Sequence, residues 1–126
     1  MHELHWLPQP EAHDYLAATS YLSLIMEPDL AAKVVHRLSQ AEVVEFKAKD
    51  ILRASRLPML PADNHHVKSD LEKIEKKHAL SPVLLVRGEL TSGQDLAIAD
   101  GYHRVCAIEH LNEDLPIRCK IVGLKV

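Results

Sequence analysis

The run Val83-Leu84-Leu85-Val86, opened by Pro82 and closed by Arg87, is apolar at every position. Successive side chains of a strand point to opposite faces, so four apolar residues in a row require cover above and below. The chain is therefore expected to be α/β (α+β), with a sheet covered on both faces. Its 126 residues fit a single domain, since a chain near that size can bury about two thirds of its surface.

The remaining elements follow from spacing and punctuation. Pro10 suits a helix start, and Tyr15, Ala18, Leu22 and Ile25 recur at helical intervals, which predicts a helix over 10–26. Pro28 ends it and opens a second helix over 28–40, with Leu30, Val34, Val35 and Leu38 on one stripe; alternatively Pro28 kinks one long helix. Val43-Val44-Glu45-Phe46 reads as a strand, and Lys49 to Ala54 as one or two helical turns. Two prolines and Asp63-Asn64 deny regular structure to Leu57–His66, which is expected to be a long loop. Ser69 and Glu72 match a capping box, placing the next helix at about 70–78 with Val67, Leu71 and Ile74 inward. A turn over Gly88–Gly93 precedes a strand at Leu96–Ala99, a helix at 102–111 and a closing strand at 116–122. The organisation expected is a helical hairpin, 1–42, packed on an α/β unit, 43–126, in one compact body.

Composition excludes several classes. The net charge is −3, which argues against the broad phosphate-neutralising surface of a nucleic-acid binder. The longest apolar stretch falls far short of the roughly 20 residues a bilayer span needs. The start Met1-His2-Glu3-Leu4-His5 lacks a signal-peptide layout. Cys106 and Cys119 form no metal or disulfide pattern and read as buried thiols in a reducing compartment, so the expected location is the cytoplasm. Nine histidines are scattered without HExxH or HxH spacing. His65 and His66 could ligate a metal with His103, but adjacent side chains diverge, and they read as surface residues.

One constellation carries chemistry: Asp100-Gly101-Tyr102-His103-Arg104, where a strand turns into a helix. The first N–H groups of a helix lack internal partners and carry partial positive charge, so an anion binds there readily. Gly101 permits positive φ and close backbone approach. Arg104 can grip phosphate or carboxylate through two hydrogen bonds, and His103 can move a proton near neutral pH. Asp100 is the natural N-cap. Read instead as a simple capped turn, the same run leaves His103 in solvent and Arg104 paired with Glu109 or Asp100.

From about Val43 to Val122 the chain resembles the ParB/sulfiredoxin-like superfamily. Leu84-Leu85-Val86 looks like its first apolar strand, Ile98 to Arg104 like its DGHHR-type signature, and Ile117 to Val122 like its last strand. The resemblance implies a small mixed sheet with flanking helices, and a nucleotide, ATP or ADP with Mg²⁺, whose phosphates rest on Gly101 and Tyr102 and meet His103 and Arg104. Sulfiredoxins carry a cysteine inside the signature where Tyr102 stands here, which disfavours sulfinic-acid reduction. Partition proteins follow the domain with a DNA-binding helix-turn-helix, whereas this sequence ends at Val126. The branch left is similar to nucleotide-dependent free serine kinases, which place an acidic base on the loop before the capped helix; Asp63 holds that position.

The leading expectation is a nucleotide-binding domain, with Mg²⁺-dependent phosphotransfer to a small hydroxyl compound or nucleotide hydrolysis, and with Asp63 and His103 as catalytic candidates. The competing one is a non-catalytic sensor or interaction module that meets a protein partner through residues 10–40. A nuclease, built on Asp63, Asp70 and Asp100, ranks last because two metals need clustered carboxylates.

Overall fold

The computed structural model describes residues 3–124; Met1 and His2, used above in reading the N-terminus, and the last two residues of the 43–126 unit lie outside the described residues. The elements in chain order are α1 (Ala12–Leu22), α2 (Pro28–Gln40), β1 (Val44–Lys47), α3 (Ala48–Ser55), α4 (His65–Glu75), β2 (Val83–Val86), β3 (Ala97–Asp100), α5 (Tyr102–Leu111) and β4 (Pro116–Val122). The class is α+β. The four strands form one mixed sheet in the order β1-β4-β2-β3. β4 runs parallel to β2 and antiparallel to β1, and β2 runs antiparallel to β3.

β2 is buried at all four positions. Its side chains alternate as the apolar run requires. Val83 and Leu85 join Ile51, Val67, Val105 and Ile108 from α3, α4 and α5 on one face. Leu84 and Val86 join Ala18, Leu22, Val34 and Leu38 from α1 and α2 on the other. The helical hairpin is thus one wall of a second core. Each fully buried Leu or Val contributes about 1.5–3 kcal/mol relative to exposure.

α1 stops at Leu22, before the end expected at residue 26, and backbone N–H groups of Ile25 and Met26 close on the Leu22 carbonyl at 3.0 and 2.9 Å. Ile25 therefore leaves the apolar stripe and stands 55% exposed. Pro28 occupies the first turn of α2, so two helices form and the kinked-helix alternative falls away.

α4 corrects a second expectation. It begins at His65, because the Asn64 side chain accepts from the N–H groups of His66 (3.0 Å) and Val67 (3.2 Å). Two orphan donors are satisfied there, five residues before the expected start, and Ser69 lies inside the helix without capping it. Asp100 is not an N-cap either: the cap of α5 is Gly101, at φ 105°.

Lys120 of β4 is 1% exposed beneath the hairpin. Its Nζ donates to the Ser39 carbonyl at 3.2 Å and lies 5.7 Å from the centre of the Tyr15 ring. The Ser39 carbonyl is at the negative C-terminal end of α2, where a cation is favoured. Among the described residues, no helix is long and apolar enough to cross a membrane.

Truncating either hairpin anchor, Leu22→Ala or Leu38→Ala, removes a fully buried side chain and is expected to cost about 2–5 kcal/mol. Denaturant unfolding followed by circular dichroism should keep a single transition, because the hairpin and the sheet share one core.

Candidate functional site

The site is built where β3 hands the chain to α5. Gly101 takes φ 105°, and a Cβ there would lie 2.8 Å from both Arg104 Nη2 and Val83 Cγ2. Only glycine fits this backbone and this space. The first intrahelical bond of α5 runs from the Val105 N–H to the Gly101 carbonyl at 3.0 Å. Among the described residues no acceptor meets the N–H groups of Tyr102, His103 and Arg104, and no side chain caps this end.

Side chains from three elements surround these donors. Arg104 Nη2 lies 3.0 Å from Asp100 Oδ2, both side chains being largely buried. Its Nε is buried without a partner among the described residues. Behind Asp100 stands Asp14 of α1, 3% exposed, its Oδ2 accepting from the Glu11 N–H at 2.8 Å. Burial raises the Asp100 pKa; Arg104 opposes this, while the Asp14 carboxylate, which accepts a hydrogen bond from the Asp100 carboxyl, reinforces it. The two acids and one guanidinium form a partly neutralised cluster in a poorly solvated place.

α4 supplies the opposite wall. The His66 and His103 rings are 4.7 Å apart between centroids. Burial lowers the His103 pKa, with the neighbouring His66 adding to the effect, so its imidazole is neutral at pH 7. Asp70 is also held above its usual pKa by burial, against the pull of Arg104, Lys73, His103 and His66. Burial thus moves the two groups in opposite directions, the carboxyl up and the imidazole down, each disfavoured in its charged form.

The loop before α4 is fastened to α5. The Tyr102 hydroxyl donates to the Pro58 carbonyl, and His110 Nε2 is 2.7 Å from the Leu60 carbonyl. The Tyr102 side chain is therefore engaged as a tether, and its backbone N–H has no acceptor among the described residues.

Of the residues singled out in the sequence, Asp100, Gly101, Tyr102, His103 and Arg104 meet at this corner. Asp63 is exposed on the turn before α4 and makes no hydrogen bond or ion pair among the described residues. The carboxylates that the fold brings to the corner are Asp14 and Asp70. Both had a signal: Asp14 shares the stripe of Ala18 and Leu22 at intervals of four, and Asp70 falls between Val67 and Ile74 on the inward side of α4. Cys106 and Cys119 are buried and unpaired. Burial raises both thiols, Cys119 to about 12, which keeps it protonated.

No family model matches the chain, and no curated protein or solved structure matches it.

Two measurements check the corner. Asp14→Asn keeps an oxygen for the Glu11 N–H and removes the like charge beside Asp100, so Asp100 should titrate at lower pH in carboxyl-carbon NMR. The native fold holds protons on Asp70 and Asp100 up to a higher pH than the unfolded chain does. Stability therefore falls as pH rises from the ordinary carboxyl range through their folded pKa values; the variant should flatten this slope. Gly101→Ala is expected to cost roughly 1–3 kcal/mol from backbone strain alone, read as a loss in denaturant midpoint.

Proposed function

We propose that this corner binds the phosphates of a nucleotide, ATP or ADP, together with Mg²⁺. The observation that carries the reading is the set of three unpaired N–H groups at the start of α5, reached over a glycine and flanked by the His66–His103 pair. Such donors favour an anion without a side-chain rearrangement. The likeness of Ile98 to Arg104 to the ParB/sulfiredoxin-like signature supports the same ligand.

Arg104 is already committed to Asp100 on one side. In this reading it orients the corner and offers its remaining donors to a phosphate oxygen. The donor chemistry suits Mg²⁺, which takes one or two carboxylates and completes its shell with phosphate oxygens and water. Asp70, 3.9 Å from Lys73 Nζ, would supply the carboxylate, and the ion would offset charge on the phosphates. Neutral His103 accepts the proton of an attacking hydroxyl or water; Asp63, exposed on the turn before α4 and without a contact to the corner, is not needed for that step.

A second reading draws on a different surface. Leu16, Leu24 and Ile25 of the hairpin are 72%, 84% and 55% exposed, which favours a non-catalytic module meeting a protein partner through residues 10–40.

Calorimetry and thermal melts with ATP, ADP, CTP and GTP, each with Mg²⁺, test the proposal on the native chain beside His103→Ala and Arg104→Ala. A nucleotide at 100 times its Kd should stabilise the native fold by about 2.7 kcal/mol, and the variants by much less. Phosphate release or transfer that Asp70→Asn and His103→Ala abolish supports an enzyme. Binding without turnover supports a sensor, and absence of binding at millimolar nucleotide overturns the corner's role.

A further inference from the structure

A second hollow lies at the other end of the sheet. Asp100, beside the phosphate corner, pairs with Leu84, whereas Leu85 and Val86 pair with Ile98 and Ala97 toward the opposite end of β3. There a cavity of about 420 Å³ opens between α3 and the 88–96 turn. This volume falls within the range of about 300–1,000 Å³ common to small-molecule sites.

The floor is aliphatic: Ile51 of α3, Leu85 of β2, Leu96 and Ile121 of β4, with Phe46 at the side. Its wall is fixed by the backbone. A Cβ on Gly88 would fall 2.5 Å from the Gln94 carbonyl oxygen and 2.7 Å from the Leu96 nitrogen, so the returning limb of the turn passes directly over Gly88. The Glu89 N–H bonds the Gln94 carbonyl at 2.8 Å, and the Leu96 N–H bonds the Ala54 carbonyl at 3.1 Å, which joins the turn to α3.

Three arginines border this apolar floor. Two are neutralised: Arg53 lies 3.4 Å from Asp50, and Arg56 lies 3.0 Å from Asp95. The third acid, Glu89, accepts from the Thr91 hydroxyl at 3.0 Å. The Arg87 guanidinium has no hydrogen bond or ion pair among the described residues, while its backbone N–H is held by the Val122 carbonyl at 2.8 Å. Arg87 thus stands exposed at the mouth of an apolar hollow on a fixed backbone, its guanidinium open to a ligand.

We propose that this cavity binds a small amphipathic carboxylate. Its aliphatic body lies against Ile51, Leu85, Leu96 and Ile121, and its carboxylate takes two parallel hydrogen bonds from Arg87. A bare inorganic anion would leave the floor wet, and a neutral hydrocarbon would leave Arg87 unmatched. The site shares no residue with the phosphate corner, so it stands whether or not a nucleotide binds there.

The test titrates the full chain with octanoate and with n-octanol, by calorimetry and by methyl NMR. Octanoate should bind saturably and shift the methyl signals of Ile51, Leu85, Leu96 and Ile121, and n-octanol should bind about tenfold more weakly, the worth of a charge-assisted hydrogen bond. Arg87→Gln should melt as the native chain does and bring octanoate down to the level of n-octanol. Ala54→Trp, which fills the cavity from α3, should abolish both; if that variant fails to fold, the Arg87→Gln comparison decides. Equal affinity for the two probes in the native chain, methyl shifts confined to other residues, or no saturable binding overturns the proposal.

Discussion

Everything in the molecule is arranged around β2, a strand that has no wet side. Val83 and Leu85 face one core and Leu84 and Val86 the other, so neither core can form without the strand and the strand cannot persist without both. This explains why the α1–α2 hairpin is integral: removing it would uncover Leu84, Val86 and Ala99 at once. It also explains the economy of the sheet, in which only β2 and β4 have a strand on each side and β1 is exposed along its length.

The hairpin does more than cover. By carrying Asp14 to the back of Asp100, it places a buried carboxylate behind the residue that holds Arg104. The guanidinium is drawn to that side, and the front of the corner keeps unpaired backbone donors and two imidazoles. If the proposed anion binds there, it would meet fixed dipoles first, and fixed dipoles need no reorganisation when charge arrives. The same geometry favours glycine at 101, since its φ is positive and Arg104 and Val83 occupy the space a methyl group would need.

How much of this could be read from the residues depends on how local the cause was. α5 and β4 appear with the boundaries that the pattern around Asp100–Leu111 and Pro116–Val122 predicts, because glycine, proline and alternation act within a few residues. The start of α4 was misplaced because two cap signals compete there, and Asn64, which needs no partner side chain to cap, prevails over Ser69 with Glu72. In the sequence Asp14 carries no functional reading and Asp70 only a place in the nuclease reading ranked last, because their neighbours at the corner come from other elements, brought together only by packing. A carboxylate on an apolar stripe was the visible sign in both cases. The Arg87 cavity had no sequence sign, since its emptiness arises from Gly88 and the fold of a turn over α3.

The position of β4 has a consequence for how the chain assembles. Both partners of this strand, β1 and β2, precede it in the chain, and β1 waits for a partner more than 70 positions away, as in the pairing of Val44 with Cys119. Such distant closure is slow compared with helix formation. Until residues 116–122 leave the ribosome, one edge of the most apolar strand stays open to any other extended chain. That interval, before the native state exists, is when this protein is most exposed to aggregation and most in need of a chaperone.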